Sequence, residues 1–275
     1  MQHSSFHWQR YLCLTLSLLF LGIVLLMPLF SIFYYGLQAG WSVFLASLQH
    51  IEAKNAILLS LTVIAVILPI NLFFGVMMAW LLANFDFKGK SLLSTLIDLP
   101  LAISPVVAGL MFILLFGVNG LFGTWLDQHH IEIIFALPSI LLTTLFVTFP
   151  LIVKSLLPTL KNLGNQEEQA ALMLGASGWT IFFRVTLPKI KWALLYGVIL
   201  ANARALGEFG AVSVVSGNIR NLTNTIPLHI EILYNEYQFT AAFACASLLA
   251  AMALFTLLAQ HGVIYWQKRK TTTLS

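Results

Sequence analysis

Apolar residues gather in six long runs along this chain, with polar stretches between them. The runs lie near residues 11–35, 55–83, 92–116, 134–153, 191–217 and 240–265. A helix rises about 1.5 Å per residue, so about 20 residues cross a hydrocarbon core that is about 30 Å thick. Each run therefore predicts one membrane-spanning helix, and the chain is predicted to be an all-α membrane protein with six spans.

Four of the runs contain an internal proline, namely Pro28, Pro69, Pro105 and Pro138. Proline is tolerated inside a membrane helix where neighbouring helices satisfy the carbonyl that it frees. These prolines therefore predict kinked helices packed as a bundle. The first run, from Tyr11 to about Tyr35, exceeds the roughly 7–15 apolar residues of a signal peptide and is interpreted as a retained span.

The composition supports a lipid environment. Hydrophobic residues make up 59% of the chain and charged residues only 9%, whereas soluble domains carry about 25% charged residues. So few charges do not cover a surface that faces water on all sides. The 275 residues are interpreted as one bundle. Cys13 and Cys245 both lie in apolar runs and are interpreted as packing residues.

The basic residues predict the orientation. With the N-terminus in the cytoplasm, eleven of the fourteen lysines and arginines lie in inside segments, two lie outside and one lies within a span. The inside residues are Arg10, Lys88, Lys90, Lys154, Lys161, Arg184, Lys189, Lys191, Lys268, Arg269 and Lys270. This distribution follows the positive-inside rule, so both termini are predicted to be cytoplasmic. Topology thus explains the net charge of +4, and no nucleic-acid partner is needed.

The longest inside segment, residues 154–190, has helix signals of its own. Asn165 and Glu168 form a variant of the capping box, which predicts a short helix over residues 166–174. Gly175 suits the left-handed position after that helix. A second short helix is predicted from about residue 179 to 185, before Pro188.

The apolar faces of these two short helices need a surface to bury against. One alternative is that they fold back beneath their own bundle or lie at the lipid surface. The other is that they dock into a groove on a separate cytoplasmic protein.

The spacing of residues in this loop resembles a family motif. Gln169-Ala170-Ala171, Gly175, Val185 and Leu187-Pro188 match the EAA loop of binding-protein-dependent ABC importers, E-A-A-x3-G-x9-I-x-L-P. The departures are Gln169 in place of glutamate and Val185 in place of isoleucine. The resemblance implies that the loop is the coupling helix seated in a nucleotide-binding subunit, with close approach at Ala170 and Ala171 and a turn at Gly175. Glu168 is a candidate to compensate for the charge missing at Gln169.

No ATP site is predicted in this chain. Gly89-Lys90-Ser91 resembles the end of a phosphate-binding loop, but Asn84 occupies the place of the first glycine and no strand precedes it. The chain itself is expected to bind no cofactor. The family resemblance implies that ATP and magnesium are bound by a partner ATPase.

The fifth run contains two opposite charges four residues apart. Arg204 and Glu208 share one helical face, and Asn202 precedes them. Because a charge inside a membrane costs about 2.5–3.5 kcal/mol on insertion scales, each is expected to have a partner. Either the two form an internal ion pair, or Arg204 lines an anion translocation path. Asp98 is a second candidate partner for Arg204.

Longer stretches resemble the oxyanion permeases for sulfate, molybdate and tungstate. The signature covers residues 204–217, with further matches at 99–109 and 225–237, and is most similar to sulfate/thiosulfate permease subunits of the CysW type. The resemblance implies a six-span type I ABC importer permease in the inner (cytoplasmic) membrane. It also implies a second homologous permease subunit, two ATP-binding subunits and a periplasmic sulfate-binding protein. A permease for molybdate or tungstate is the alternative.

The resemblance also implies a domain organisation. Residues 1–54 form an N-terminal span and the first outside loop, residues 55–265 form the permease domain, and residues 266–275 form a short basic cytoplasmic tail. Two other function classes compete with this prediction. A proton-coupled secondary transporter would use the Glu208 carboxylate, and a membrane-embedded enzyme would use His129-His130 or Glu231 and Glu236. No catalytic or metal-ligand spacing supports the enzyme.

Overall fold

The computed structural model describes residues 3–164 and 166–272, and within these ranges every regular element is a helix. The elements are α1 (His3–Leu21), α2 (Met27–Leu37), α3 (Trp41–Gln49), α4 (Ile51–Asn84), α5 (Lys90–Ala102), α6 (Pro105–Phe116), α7 (Gly123–Gln128), α8 (Leu137–Leu163), α9 (Gln166–Met173), α10 (Gly178–Ile181), α11 (Leu187–Leu206), α12 (Gly210–Val215), α13 (Ile226–Asn235) and α14 (Phe239–Thr272). Two π-helical segments join consecutive helices: Gly22–Leu26 joins α1 to α2, and Phe182–Thr186 joins α10 to α11.

Four helical segments in the described ranges are long and apolar enough to cross a membrane, and a bent pair of helices makes a fifth. The four are Arg10–Leu37, Ile51–Asn84, Leu137–Leu163 and Phe239–Gly262. The predicted membrane protein and its all-α class are therefore confirmed. Helix α11 corresponds to the remaining predicted span, and its 20 residues include Lys189, Lys191 and Arg204.

The third predicted span, residues 92–116, is not one continuous helix. Helices α5 and α6 meet at 111°. Ser104 precedes Pro105, whose ring disfavours the helical conformation in the residue before it, and Ser104 has φ −59° and ψ 136°. The chain therefore leaves the helix after Ala102 and begins a new one at Pro105.

The fifth predicted span, residues 191–217, is also interrupted. Helix α11 ends at Leu206, residues 207–209 are not helical, and α12 begins at Gly210. The Glu208 side chain accepts a hydrogen bond at 3.0 Å from the Ala211 N–H in the first turn of α12. This bond satisfies one of the free donors at the start of that helix and helps to stabilise the break.

The main core lies where α4, α8 and α11 pack together. Buried side chains at this junction are Val76, Ala79, Leu82, Ile152, Val153, Leu156, Ile190 and Ala201. Small residues let the helix backbones approach closely. At Gly75, for example, a Cβ would lie 2.7 Å from Ile152 Cγ2. This core holds α11 firmly against the two long helices.

The N-terminal span lies at the edge of the bundle. No residue in the most apolar window of Arg10–Leu37 is buried by the rest of the chain. Its contact with the bundle is made by α2, where Gly36 packs against α14 and the Ser247 hydroxyl donates a hydrogen bond to Ile32 O at 3.1 Å. The exposed remainder is available to lipid or to another chain.

Candidate functional site

The 166–188 loop begins with the helix that the sequence predicts. Helix α9 spans Gln166–Met173, and Gly175 adopts a left-handed φ of +81° directly after it. The Gly175 N–H donates to Leu172 O at 2.9 Å, and the Ala176 N–H donates to Ala171 O at 3.1 Å. These bonds close the helix end in the manner that a glycine permits. The predicted N-cap residue, Asn165, lies outside the described residues.

The second half of the loop differs from its prediction. Helix α10 does not end before Pro188 but continues through the π-helical segment Phe182–Thr186 into α11. Pro188 lies in the first turn of α11, and proline has no N–H to donate to an earlier carbonyl. The π-helical segment accommodates that irregularity without ending the helix. The loop is therefore physically continuous with α11.

Two polar contacts connect α9 to the start of α11. The Thr186 hydroxyl donates a hydrogen bond to Glu168 Oε1, and Thr186 is buried. One residue earlier, the Glu167 carboxylate lies 2.8 Å from Lys189 Nζ. The structure therefore turns one oxygen of the Glu168 carboxylate towards its own chain, and Glu168 also lines a groove together with Gln169. The buried hydroxyl needs an acceptor, and Glu168 supplies it.

Large apolar side chains of the same loop point away from the bundle. We call the set the loop surface; it comprises Leu172, Met173, Leu174, Trp179 and Phe183. Met173 and Leu174 are each 89% exposed, and the Trp179 and Phe183 rings stack with centroids 6.0 Å apart. Gln169 and Ala170 are exposed beside them. These side chains do not fold back beneath the bundle, so they remain available to another surface.

The charged pair of the fifth predicted span lies at the break between α11 and α12. Arg204 Nη2 is 3.2 Å from Glu208 Oε2, and the side chains are 42% and 1% exposed, respectively. The geometry fits the internal ion-pair alternative, and it also leaves the guanidinium partly open. Among the described residues, Glu208 Oε2 accepts no hydrogen bond, so the contact with Arg204 is an ion pair by distance only.

The structure separates the other two candidates from Arg204. Asp98 lies 3.1 Å from Lys154 Nζ on α8, and both side chains are about half exposed; Asp98 is therefore not the partner of Arg204. Asn202 lines a shallow groove of about 380 Å³ between α4, α11 and α14. Residues two apart on a helix do not face each other, so Asn202 and Arg204 point to different sides of α11.

Two of the four residues considered for an enzyme, His129 and Glu236, make structural contacts. His129 Nδ1 lies 2.7 Å from Trp125 O, and the two rings are 4.4 Å apart. Glu236 pairs with Arg220. In the part of the chain that the structure describes, no group of three or more His, Cys, Asp or Glu side chains is placed to hold a metal ion.

A polar cluster at the opposite end of the bundle was not predicted from the sequence. Arg220 bridges α4 and the end of α13, with Nη1 3.0 Å from Glu52 Oε2 and Nη2 against Glu236. The hydrogen bond with Glu52 raises the pKa of Arg220 above its ordinary value. Buried His229 lies in α13, and burial lowers its pKa. Glu52 and Arg220 are far apart in sequence, so no local pattern signals their contact.

The amino-acid sequence of this chain is similar to those of known membrane transport proteins. Residues 71–264 match the sequence model of the family described as "Binding-protein-dependent transport system inner membrane component". The chain is 45% identical, over 95% of its length and 89% of the relative, to the sulfate transport system permease protein CysW of Escherichia coli (strain K12). It is 38% identical, over 90% of its length and 89% of the relative, to the CysT permease protein of the same organism.

A solved structure has the same fold. A chain of a bacterial ABC transporter involved in the import of the acidic polysaccharide alginate superposes with a TM-score of 0.78. The match covers 94% of this chain and 96% of that chain, at 18% sequence identity. At that identity the likeness establishes the architecture alone.

Proposed function

Because the chain belongs to the family of binding-protein-dependent transport system inner membrane components, we propose that it is the permease subunit of an ATP-driven importer for sulfate or thiosulfate. The observation that carries this proposal is the 45% identity to a sulfate permease subunit over 95% of the chain. A similarity that covers nearly the whole chain supports a shared function more strongly than a match confined to one motif.

The importer contains a second permease chain and ATPase subunits that this chain does not supply. Similarity to both CysW and CysT relatives supports a pair of homologous permeases. The pair assembles with two ATP-binding subunits, which hold ATP and magnesium, and a periplasmic binding protein delivers the anion. The complex lies in the cytoplasmic membrane with both termini of this chain inside, in keeping with the distribution of its basic residues.

The loop surface is the docking site for an ATPase subunit. Its exposed apolar side chains would be costly in water and are suited to an apolar groove on a partner. Next to it, a groove of about 290 Å³ between α9 and the end of α4 is lined by Trp80, Glu168, Gln169 and Leu172. Closure of the ATPase dimer pushes on this region.

The continuity of α10, the π-helical segment and α11 transmits that push into the membrane. Glu168 and Glu167 tie α9 to Thr186 and Lys189, so α9 and the start of α11 move together. The far end of α11 is the break that holds Arg204 and Glu208. ATP binding and hydrolysis thus favour two different arrangements of the spans in turn, which is alternating access.

Arg204 contributes positive potential to the anion path. It is the partly open member of the pair, while buried Glu208 orients it and is shielded from the anion. A cation in a partly water-excluded cleft attracts an oxyanion more strongly than it does in bulk water. Asn202 and Asp98 lie on other surfaces and are not assigned to this path.

Uptake of radiolabelled sulfate into proteoliposomes tests the proposal. The chain is reconstituted with its partner permease and ATPase subunits, with ATP enclosed and binding protein added outside. We expect uptake that needs every component, and competition by excess thiosulfate. If the chain alone carries sulfate in response to a proton gradient, the importer assignment is wrong. If molybdate or tungstate competes better than sulfate and thiosulfate, the substrate assignment is wrong.

A further inference from the structure

A small internal cavity lies beside Glu208, where α4, α8 and α12 meet the start of α13. Its volume is about 10 Å³, and its polar lining residues are Ser60, Thr144, Thr225 and Glu208. A cavity that holds one water needs roughly 10–15 Å³ of space for the centre of the water, together with two to four polar partners. Size and lining therefore restrict any occupant to a single small molecule or ion.

Two of these lining residues each have a polar side-chain atom with no hydrogen-bond partner among the described residues. These atoms are Glu208 Oε2 and Thr225 Oγ1, and Glu208 and Thr225 are only 3% and 5% exposed. A buried carboxylate oxygen or hydroxyl that makes no hydrogen bond is destabilising, because it has lost its bonds to bulk water. Arg204 offers Oε2 a charge at 3.2 Å but no hydrogen bond.

The other two hydroxyls have bonding capacity left over. Ser60 Oγ accepts from the Ile226 N–H at 2.9 Å, which leaves its own hydrogen to donate. Thr144 Oγ1 donates to Ile140 O at 2.7 Å, which leaves its lone pairs to accept. A hydroxyl provides one donor and two acceptor positions, so both side chains can bond to a molecule in the cavity.

We propose that this cavity is a binding site for one buried water. The water donates one hydrogen to Glu208 Oε2 and the other to a threonine hydroxyl, and it accepts a hydrogen from Ser60. It thereby connects the break after α11 to α4, α8 and the residue before α13. A sodium ion is a poorer occupant, because the positive charge of Arg204 already faces the same carboxylate.

Two measurements on the complete importer complex in lipid nanodiscs test the site. The first is a cryo-electron microscopy map at about 2 Å resolution, which shows ordered waters. We expect a peak within hydrogen-bond distance of both Glu208 Oε2 and Thr225 Oγ1. A map in which these two atoms bond directly to each other, with no peak between them, overturns the proposal.

The second measurement is the thermal unfolding midpoint of matched variants. Thr225→Val removes a hydroxyl from the cavity, whereas Thr143→Val removes an equally buried hydroxyl of α8 that bonds within its own helix, to Ser139 O at 2.8 Å. We expect Thr225→Val to lower Tm by roughly 3 °C or more relative to Thr143→Val, and Thr225→Ser to restore most of the loss. Equal Tm values for the two valine variants overturn the proposal, as does a Tm of the unaltered complex that rises with sodium but not with potassium.

Discussion

The Thr186 hydroxyl donates a hydrogen bond to the Glu168 carboxylate, which fastens α9 to the π-helical segment that leads into α11. Thr186 is 2% exposed, so the bond lies in a sheltered position. Residues in the middle of the 166–188 loop are thus joined to the start of α11. In the importer that we propose, this contact makes α9 and the start of α11 move together.

Loss of that contact is expected to separate ATP hydrolysis from transport. Glu168→Ala leaves a buried hydroxyl without its acceptor, at a cost of about 1–3 kcal/mol, and weakens the attachment of α9 to α11, which then rests on the exposed Glu167–Lys189 ion pair. We expect the reconstituted complex to keep most of its ATPase activity while sulfate uptake per ATP falls severalfold. The measurement is uptake and phosphate release in the same proteoliposomes.

The neighbouring acid provides the control for this experiment. Glu167 is 70% exposed in its pair with Lys189, and exposed ion pairs contribute about 0–1 kcal/mol. Glu167→Ala is therefore expected to have a much smaller effect on the ratio of uptake to hydrolysis. A Glu168→Ala complex with an unchanged ratio would show that the contact plays no part in coupling.

Gly175 is expected to tolerate no β-branched residue. Its φ of +81° places a Cβ in a strained position, and strain of this kind costs on the order of 1–3 kcal/mol. Gly175→Val should leave insertion into the membrane intact but reshape the loop surface, so sulfate uptake should be abolished. Gly178→Ala is the control, because its φ is not left-handed and a Cβ there meets open space. Normal uptake by the valine variant would exclude the coupling role.

Arg204 is expected to affect both stability and transport. Arg204→Ala leaves Glu208 buried without its ion-pair partner, so both protein level and uptake should fall. In the double variant Arg204→Ala with Glu208→Ala the level should recover in part, because the hydrogen bond from the Ala211 N–H is also lost, while uptake at low sulfate stays about tenfold lower, equivalent to ~1.4 kcal/mol of binding. Lys54→Ala, which removes an exposed cation of α4, serves as the control. Recovery of uptake in the double variant would leave the pair a purely structural role.

His229 is expected to make the protein less stable in acid. Burial lowers the pKa of this α13 side chain below its ordinary value of 6.5, so the unfolded chain binds a proton first as the pH falls. The contribution of neutral His229 to the free energy of unfolding is fully present above about pH 6.5. It is lost as the pH falls towards and through the folded-state pKa of His229. When the pH is lowered from about 7.5 to about 5.5, the Tm of the unaltered complex should fall by more than the Tm of the His229→Gln complex.

If His229→Gln shows the same loss of Tm in acid as the unaltered complex, other groups cause it.

Much of the candidate site follows from local sequence. Helix α9 and the left-handed Gly175 were predicted because helix formers, caps and glycine act within a few residues of one another. The inward turn of Glu168 was not predicted, because its partner Thr186 is buried only when α9 folds back against the start of α11. The size of the bend at Ser104, 111°, was not predicted for a similar reason: Pro105 signals a kink, but its angle depends on how α6 packs against α12.

The sequence by itself determined the class of this protein. Six apolar runs and few charges reflect the low dielectric of a bilayer, which acts on every residue independently of its distant neighbours. The uneven distribution of basic residues between the loops likewise predicts the orientation from local sequence. Only the tertiary structure decided which distant charges meet: Asp98 with Lys154, and Arg220 with both Glu52 and Glu236. Ion pairing needs side chains within about 4 Å, and for residues far apart in the chain that distance is set by helix packing.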